Sequence, residues 1–275
     1  MAPVKLTSSY YQQFFILGGR VFMGPGRLQC ITTFTTIIVA CLSFFFSSGP
    51  LLVDSKICCV LLAISAVLFV LSIYFLARTA FCDPGIIPRC EFGVEERFLE
   101  PRPVGIAKGV VINGSVVTLK YCRTCLHLRP PRCTHCRVCN NCVERFDHHC
   151  PWIGNCVGIR NYRWFLLFTF TCTALDLLVF GLSLVDFVRA AEKAPRGPEI
   201  SSVADLLLYT AMQRPATFFV ILFTILGGTF LVMLSRLHLR LAARNITTYE
   251  HIKGASRAGR DGLFSRGAPL LNWAE

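Results

Sequence analysis

Eight cysteines and four histidines lie within residues 121–161, clustered around the run Asp147-His148-His149-Cys150. Thiolates and imidazoles are ligands that zinc prefers, and two tetrahedral zinc sites would take eight of them. Four of the twelve side chains therefore remain for other work. The twelve are Cys122, Cys125, His127, Cys133, His135, Cys136, Cys139, Cys142, His148, His149, Cys150 and Cys156.

The run from Asp147 to Cys150 has the parts of an activated nucleophile. A carboxylate can orient an imidazole, the imidazole can act as a base, and a thiol lies close by in the sequence. A neighbouring imidazolium or metal ion lowers the pKa of a cysteine thiol from roughly 8.5 and so raises its thiolate fraction. Adjacency leaves a second interpretation open, in which all four side chains are structural and the segment is a binding module.

The elements that must position this cluster belong to a membrane protein. Of the 275 residues, 53% are hydrophobic and 16% are charged, a composition typical of integral membrane proteins. Four apolar runs, at about 28–46, 57–77, 164–188 and 216–234, are each long enough to cross a hydrocarbon layer of roughly 30 Å. The third contains Asp176, which we expect to face the bundle interior or a polar cavity.

Lysine and arginine are distributed unevenly over the segments between these runs. They concentrate in the amino-terminal stretch, in residues 78–163 and in the tail, whereas the turn 47–56 has only Lys56. By the positive-inside rule, both termini and the cysteine-rich segment should lie in the cytosol. The net charge of +12 then reflects topology rather than nucleic-acid binding. The first 27 residues lack the pattern of a cleavable signal peptide.

A reducing compartment argues against a disulfide framework and favours metal ligation or catalysis for the clustered cysteines. We therefore predict a loop-rich, two-zinc module that folds only when zinc is bound, preceded by a β-hairpin across Asn113-Gly114. The predicted fold class is a membrane all-α protein with four transmembrane helices and this cytosolic module between the second and third. The predicted organisation is a cytosolic amino-terminal segment (1–27), helices 1 and 2 (28–77), a cytosolic linker (78–120), the zinc module (121–163), helices 3 and 4 (164–235) and a cytosolic tail (236–275).

The position of Cys150 in the chain narrows the chemistry. Trp164 begins the third apolar run fourteen residues after Cys150, which places the thiol near the membrane surface. A reactive cysteine at that boundary suits an amphiphilic thioester whose chain lies between the helices and whose polar head stays in water. A long-chain acyl-CoA fits this description.

These motifs resemble the DHHC-type protein S-acyltransferases, or palmitoyltransferases. The family pattern of CxxC, HC, CxxCxxxxDHHC and a following cysteine, asparagine and aromatic residue is met at every spacing. The Asp-Pro-Gly and TTxE motifs of the family also occur, at residues 83–85 and 247–250. The short sequences at residues 129–132 and 141–146 are similar to those of the family branch that contains the Ras palmitoyltransferases. The matching residues of the main pattern are Cys122, Cys125, His135, Cys136, Cys139, Cys142, Asp147, His148, His149, Cys150, Cys156, Asn161 and Phe165.

The resemblance implies two structural Zn²⁺ ions in interleaved sites and leaves Cys150 and His148 free. The first site would be formed by Cys122, Cys125, His135 and Cys142, and the second by Cys136, Cys139, His149 and Cys156. Each site has four protein ligands and no open position, so both metals would be structural. Cys133 and His127 have no assigned role.

The resemblance further implies a two-step acyl transfer. Cys150 would attack the acyl donor, palmitoyl-CoA or another long-chain acyl-CoA, and a cysteine of a substrate protein would then take the acyl group. His148 would be the base in both steps, and Asp147 would orient His148. The supporting residues of the tail would be Thr247, Thr248, Glu250 and Asn272, of which Thr248 would hold Asp147.

Binding of the donor would fall to apolar and basic side chains. By resemblance, the side chains that hold the acyl chain would be Trp152, Phe165, Phe168 and Leu175, with Leu175 limiting the depth of the cavity. Large apolar residues in a membrane span are otherwise packing. Arg129 and Arg132 are candidate partners for the CoA phosphates, because guanidinium groups form paired hydrogen bonds with phosphate. A juxtamembrane basic patch against anionic lipid is the alternative for both.

The implied partners are the lipid bilayer and substrate proteins with membrane-proximal cysteines, such as Ras-like GTPases, and a small accessory subunit is left open. The implied location is the endoplasmic reticulum or Golgi membrane. The tail departs from the family at residues 261–267, where an Asn-Pro-aromatic run is usual. Trp273-Ala274 stand where the Ras-type branch often has paired cysteines, so a second lipid-bearing or regulatory element is expected to be missing.

Three other classes fit parts of the pattern. A membrane-anchored zinc module without chemistry would need Cys150 no more than any other cysteine. A RING-type ubiquitin ligase also uses two interleaved zinc sites, but it separates its ligand pairs by longer loops and has no use for a free Asp-His-Cys set. An intramembrane metallopeptidase is disfavoured because the sequence has no HExxH run.

Overall fold

The computed structural model describes residues 14–16, 21–90, 109–195, 200–254 and 263–264 of the chain. Its helices are α1 (Arg27–Ser47), α2 (Gly49–Leu52), α3 (Lys56–Ala80), α4 (Tyr162–Glu192), α5 (Val203–Gln213), α6 (Pro215–Ala243) and α7 (Thr248–Ile252). Within the described residues, α1, α3, α4 and α6 are long and apolar enough to cross a membrane. Because lipid offers no partner for backbone N–H and C=O groups, a long apolar run in a bilayer forms a helix.

The predicted fold class is confirmed. The chain is a multi-pass membrane protein whose cysteine-rich segment lies between the second and third spanning helices. α4 and α6 extend beyond the apolar runs that predicted them, since α4 continues to Glu192 and α6 to Ala243. Hydropathy marks only the part of a helix that suits lipid, whereas backbone hydrogen bonding continues past it.

The helix α5 was not predicted, and it lies in the connection between the third and fourth spans. It begins at a capping box in which the Ser202 hydroxyl accepts from the N–H of Asp205 and the Asp205 carboxylate accepts from the N–H of Ser202. This reciprocal pairing satisfies two backbone donors at the helix start. Its sequence signal was the Ser-x-x-Asp spacing.

The chain folds into two compact units. The site unit comprises residues 1–31, 77–165 and 237–275, and the bundle unit comprises residues 32–76 and 166–236. The described strands all belong to the site unit and pair antiparallel, in one three-stranded sheet of order β3-β9-β8 and four two-stranded ladders. They are β1 (Phe14–Ile16), β2 (Val21–Met23), β3 (Ile86–Ile87), β4 (Gly109–Ile112), β5 (Ser115–Thr118), β6 (Tyr121–Cys122), β7 (His127–Leu128), β8 (Thr134–Cys136), β9 (Asn141–Val143), β10 (His148–Cys150) and β11 (Asn155–Val157).

The hairpin predicted across Asn113-Gly114 is confirmed. β4 and β5 pair with Ile112 opposite Ser115. Both turn residues have positive φ, 46° at Asn113 and 76° at Gly114. Two such residues make the two-residue turn whose twist matches the strands, and Asn-Gly favours it.

The core of the bundle unit is apolar and includes cysteines that behave as small hydrophobes. Its buried members are Cys41, Phe44, Leu52, Cys58, Leu175, Val179, Leu182 and Val220. Asp176 is turned towards α6, because a Cβ built at Gly228 would lie 2.2 Å from Asp176 Oδ2. The inward orientation predicted for Asp176 is thus confirmed, and the missing side chain at Gly228 provides the space for the carboxylate.

Asp186 on α4 is a buried carboxylate with a complete set of partners in the bundle unit. Its side chain is 2% exposed. Oδ2 accepts hydrogen bonds from the hydroxyls of Ser48, at 3.0 Å, and Thr217, at 2.9 Å, while Oδ1 lies 3.3 Å from a guanidinium nitrogen of Arg214. Because a buried charge must be paired and hydrogen-bonded, this network fastens α4 to α6 and to the junction between α1 and α2.

Replacing Asp186 by alanine should destabilise the protein by about 3–5 kcal/mol, the usual cost of breaking a buried charge pair. Thermal unfolding of the detergent-solubilised protein would measure the change. Asp54→Ala is the matched control, since Asp54 is exposed and its loss should change the free energy of unfolding by less than about 0.5 kcal/mol. Equal unfolding temperatures for the two variants would contradict the assignment.

Candidate active site and metal centres

Two sets of four cysteine and histidine side chains come together in the site unit, and within each set the ligand atoms lie within 4.8 Å of one another. The first set is Cys122, Cys125, His135 and Cys142, and the second is Cys136, Cys139, His149 and Cys156. These are the two sets that the resemblance implies. Sulfur and imidazole donors in groups of four suit a closed tetrahedral zinc site, so each set could bind zinc.

Strand alternation explains how one segment builds two interleaved sites. His135 and Cys136 are neighbours on β8, and successive side chains of a strand point to opposite faces, so each set receives one of them. His135 lies opposite Cys142 on β9, and His149 on β10 lies opposite Cys156 on β11. Residues directly opposite in an antiparallel pair share a face. Each ladder therefore delivers two ligands to the same set.

A CxxC turn completes each set. The N–H of Cys125 donates to Cys122 Sγ, and the N–H of Cys139 donates to Cys136 Sγ, both at 3.4 Å. The Sγ of Cys125 lies 3.4 Å from His135 Nδ1, and that of Cys139 lies 3.3 Å from His149 Nδ1. These separations suit ligands that share one ion at about 2.0–2.3 Å.

The same alternation separates the reactive groups from the metal ligands. His149 in the middle of β10 belongs to the second set, whereas His148 and Cys150 take the other face of the strand. Cys150 is 6% exposed, and its sulfur lies beside the imidazole of His148. The strand that supplies His149 to the second set thus also places the thiol and the imidazole, and neither of these belongs to a ligand set.

The turn after Cys150 is fixed by a close backbone contact within the site unit. Residues Pro151–Ile153 form one turn of 3₁₀ helix, which ends at Gly154 with φ of 65°. A Cβ at Gly154 would lie 2.2 Å from the carbonyl oxygen of Gly26, and the N–H of Gly26 donates to the Gly154 carbonyl at 3.3 Å. Only glycine meets both requirements at position 154.

Asp147 is buried and held by the tail. Its side chain is 1% exposed, and its Oδ2 lies 2.6 Å from His148 Nδ1. Thr248 donates its backbone N–H to Oδ1 at 2.8 Å and its hydroxyl to Oδ2 at 2.7 Å. The contact between Thr248 and Asp147 is the one that the resemblance implies. With Nδ1 of His148 bound to Asp147, Nε2 is left for the sulfur of Cys150.

The charges of Asp147 and His148 support each other. Burial alone would raise the pKa of Asp147, but the hydrogen bond and the charge of His148, together with the Thr248 N–H, lower it below its usual range. Burial would lower the pKa of His148, but the hydrogen bond and charge of Asp147 and the neighbouring sulfur of Cys150 raise it to about 9. An imidazolium held by a carboxylate beside a cysteine sulfur is the environment of a nucleophilic cysteine.

The sequence did not predict His238, which lies beside His148, or Tyr162, which is bonded to His238. His238 on α6 lies with its ring centroid 6.0 Å from that of His148, and its Nδ1 lies 3.3 Å from the hydroxyl of Tyr162 on α4. Phe165 contacts both imidazoles, at centroid distances of 5.2 Å to His148 and 4.9 Å to His238. The available signal was a histidine just beyond the fourth apolar run, where hydropathy carries no information on its neighbours.

The TTxE segment opens α7 with a capping box. Thr247 accepts from the N–H of Glu250 at 3.1 Å, and the Glu250 carboxylate accepts from the N–H of Thr247 at 2.8 Å. Thr247 and Glu250 therefore shape the turn that presents Thr248 to Asp147. Asn272, the fourth supporting residue predicted, lies outside the described residues.

The environment of Arg132 differs from the prediction of a phosphate-binding side chain. Its guanidinium donates to both carboxylate oxygens of Glu250, each at 2.9 Å, and to the side-chain and backbone oxygens of Asn245, at 2.8 and 2.9 Å. The side chain is 8% exposed and lies over the ring of Phe264. Four of its donors are thus committed within the protein, and Arg132 fastens the tail to the zinc module. The sequence could not show this, because Arg132 and Glu250 are 118 positions apart.

The remaining predicted contacts are placed as follows. Arg129 is half-buried, and its Nε has no hydrogen-bond partner among the described residues. Trp152 is 60% exposed and Phe165 is 2% exposed, both in the site unit, while Phe168 and Leu175 are buried in the bundle unit. The two side chains without an assigned role, Cys133 and His127, stay outside both ligand sets: Cys133 is buried in the apolar cluster around the first set, and His127 Nδ1 lies 3.1 Å from the Leu128 carbonyl oxygen.

Residues 116–255 match the family model described as DHHC palmitoyltransferase. The chain is 36% identical over 261 residues to palmitoyltransferase ZDHHC18 of Homo sapiens, covering 91% of this chain and 64% of that protein. It is 35% identical over 272 residues to protein S-acyltransferase 8 of Arabidopsis thaliana, covering 93% and 64%. Palmitoyltransferase ZDHHC9 of Bos taurus is 38% identical over 255 residues, with 88% and 66% covered. The chain thus spans a little under two thirds of the length of the relatives it matches.

Proposed function

Because the chain belongs to the DHHC palmitoyltransferase family, we propose that it is a protein S-acyltransferase. In this proposal it moves a long-chain acyl group from acyl-CoA, with palmitoyl-CoA as the donor, to cysteines of membrane-associated proteins through an acyl-Cys150 intermediate. The observation that carries the proposal is the chain of hydrogen bonds from Thr248 to the buried carboxylate of Asp147 and on to His148, which lies beside the sulfur of Cys150.

In the first step, the Cys150 thiolate attacks the carbonyl carbon of the acyl-CoA thioester. The bond between that carbon and the CoA sulfur breaks, and His148 gives its Nε2 proton to the departing CoA thiolate. Asp147 keeps Nδ1 of His148 protonated and oriented throughout, in the way that the buried carboxylate of a catalytic triad does. The products are acyl-Cys150, neutral His148 and CoA.

In the second step, neutral His148 accepts the proton of a substrate cysteine, and the resulting thiolate attacks the acyl carbon. The bond to Cys150 breaks, which restores the Cys150 thiolate beside the His148 imidazolium. One thioester is exchanged for another in each step, so no oxidant or other reactant is required. Kinetics of the ping-pong type should follow.

Zinc would act as a structural ion in both ligand sets, because each set supplies four protein ligands and leaves no open position. The second set fixes the middle of β10, and so it holds His148 and Cys150 in register with β11. The cysteine-rich module has little apolar core of its own beyond the ligand cysteines. Its folding should therefore depend on the metal.

Asp147→Asn should slow formation of the acyl-enzyme by about 10²–10⁴-fold, since an amide cannot stabilise the imidazolium or enforce the Nδ1–H tautomer. A single-turnover measurement with labelled palmitoyl-CoA would give the rate constant. Zinc content should stay unchanged, because Asp147 is in neither ligand set. Asp54→Asn, at an exposed carboxylate, is the control. A rate within about twofold of wild type for Asp147→Asn would contradict the assigned role.

The binding residues for the donor are proposed from resemblance and position. Phe165 lies against His148, which suits a side chain at the reactive end of an acyl chain, and Trp152, Phe168 and Leu175 are retained as proposed contacts further along. Arg129 is the remaining candidate for a CoA phosphate, because Arg132 is engaged by Glu250 and Asn245.

Orientation, location and partners are also proposals. The excess of lysine and arginine in residues 78–163 supports a cytosolic active site and cytosolic termini. The domain boundaries predicted from the sequence are retained with this orientation. By resemblance, the proposed location is the endoplasmic reticulum or Golgi membrane. Ras-like GTPases are proposed as substrates, and a small accessory subunit as a partner.

The function can be tested with the purified protein in detergent, zinc-replete, labelled palmitoyl-CoA and a peptide that carries a membrane-proximal cysteine. The expected result is stoichiometric CoA release in a burst, followed by slower release as label passes to the peptide. Double-reciprocal plots of velocity against palmitoyl-CoA concentration, at several peptide concentrations, should be parallel lines. CoA release that requires both substrates at once would overturn the covalent route. If the folded, zinc-replete chain releases no CoA, alone or with an accessory subunit, it is a binding module.

A further inference from the structure

Neither His238 nor Tyr162 takes part in the proposed mechanism, although His238 lies beside the proposed base His148 and Tyr162 is hydrogen-bonded to His238. His238 is 1% exposed. Its ring centroid lies 6.0 Å from that of His148 and 4.9 Å from that of Phe165. The rings of His148, Phe165, His238 and Tyr162 form one contiguous group within the site unit.

A histidine at a buried position beside another ring lowers the stability of the fold unless its ring nitrogens are hydrogen-bonded. Burying a polar ring without a partner disfavours folding, whereas a phenylalanine would fill similar space at no such cost. Here the cost is offset because His238 Nδ1 and the Tyr162 hydroxyl share a hydrogen bond of 3.3 Å. That bond joins α6 to the start of α4 and fixes the plane of the His238 ring.

His148 needs more than one contact to hold its direction. The hydrogen bond from Nδ1 to Asp147 Oδ2, at 2.6 Å, fixes one atom of the ring but still permits the ring to pivot about that bond. Phe165 meets His148 edge-on, with an interplanar angle of 71°, and His238 is inclined to it at 40°. Because these two neighbouring rings have different inclinations, together they prevent the rotation of the His148 ring that its hydrogen bond to Asp147 still permits.

We propose that Tyr162 and His238 form a positioning pair that holds the His148 ring in the direction needed for proton transfer at the Cys150 sulfur. The inference rests on the proposed acyl-transfer function and assigns two further residues to it. Neither residue touches the reacting atoms. Both act through His148, and the hydrogen bond between them keeps the His238 ring in place.

The test compares wild type with Tyr162→Phe, His238→Phe and the double variant in single-turnover acylation by labelled palmitoyl-CoA. Each single variant keeps an aromatic ring and loses the shared hydrogen bond. We expect each to lower the maximal rate constant by about 10- to 100-fold, the effect of misplacing a reacting group by a fraction of an ångström to an ångström. The palmitoyl-CoA concentration at half-maximal rate should stay within about twofold. The double variant should be no slower than either single one, because both remove the same bond.

A purely structural role would give a different result. It would lower the amount of protein that reacts, the zinc content or the unfolding temperature, and leave the rate constant of the folded fraction unchanged. Tyr162→Phe removes one hydroxyl, so it keeps the test decisive if His238→Phe does not fold. Leu239→Ala is the matched control, because Leu239 is the next residue of α6 and is 45% exposed. It should react at the wild-type rate.

Rate constants within about twofold of wild type for both single variants, or effects that multiply in the double variant, would overturn the positioning pair while leaving acyl transfer intact. A wild-type protein that forms no acyl-enzyme would instead overturn the proposed function, and the inference with it.

Discussion

Replacing Cys150 by serine is expected to abolish the acyl-enzyme and to lower acyl transfer by at least about 1,000-fold, since loss of a covalent nucleophile commonly costs that much or more. A serine hydroxyl has almost the same size as the thiol but is far less acidic, and His148 beside it cannot supply an equivalent nucleophile. The measurement is label retained on the chain after incubation with labelled palmitoyl-CoA, read before and after neutral hydroxylamine.

The substitution should leave the fold intact. Cys150 lies on the face of β10 away from His149, outside both ligand sets, so zinc content and unfolding temperature should match wild type. Cys59→Ser is a control for general loss of a thiol, because Cys59 is exposed on α3. Retention of hydroxylamine-labile label by Cys150→Ser would remove Cys150 from the mechanism.

The second large effect is expected at Cys139, a fully buried member of the second set and a proposed zinc ligand. Cys139→Ser should reduce bound zinc from two ions per chain to about one or none, and activity should be lost with it. A structural zinc site contributes about 10–16 kcal/mol of binding free energy to folding. The strand β10 carries both His149 and Cys150, so loss of the second zinc ion should also disorder the strand that positions the Cys150 thiol.

Cys133→Ser is the matched control for this loss. Cys133 is 8% exposed and packs in the same module, but it is not in either ligand set. We expect it to keep two zinc ions per chain and most of its activity. Metal content can be measured by elemental analysis of the purified proteins, alongside protease sensitivity of the module. Two bound ions in Cys139→Ser would contradict the ligand assignment.

The spanning helices were predictable because their cause is local. An apolar run in lipid can satisfy its backbone only as a helix, so α1, α3, α4 and α6 follow from hydropathy, although their ends do not. The hairpin at Asn113-Gly114 followed from turn chemistry for the same reason. The helix α5 was missed because its eleven residues lie in a short connection between spans.

The different roles of neighbouring residues on β8 and β10 could also be predicted from the local sequence, since successive side chains of a strand point to opposite faces. His135 and Cys136 go to different metal sets, and His148 and His149 go to different tasks. The sequence alone left a purely structural interpretation of the Asp-His-His-Cys run open. The structure adds the hydrogen bonds from Thr248 to Asp147 and between Asp147 and His148, and these favour the catalytic interpretation of the run.

Contacts between segments far apart in the chain could not be predicted from the sequence. Arg132 meets Glu250 across 118 positions, and Tyr162 meets His238 across 76. No local pattern encodes such a pairing, because it depends on where α6 and the tail return to the zinc module. The prediction for Arg132 was therefore based on what a guanidinium can bind, whereas the structure shows its hydrogen bonds to Glu250 and Asn245.

Locating the acyl group by mass spectrometry would test the proposed acyl-Cys150 intermediate most directly. Purified, zinc-replete protein would be incubated with palmitoyl-CoA, quenched in acid and digested, and the fifteen cysteines of the chain would be examined one by one with and without hydroxylamine. We expect one palmitoyl group in thioester linkage on Cys150, formed within the CoA burst and removed by hydroxylamine. A palmitoyl group that forms in the burst on another cysteine, with Cys150 unmodified, would overturn the assignment of Cys150 as the nucleophile.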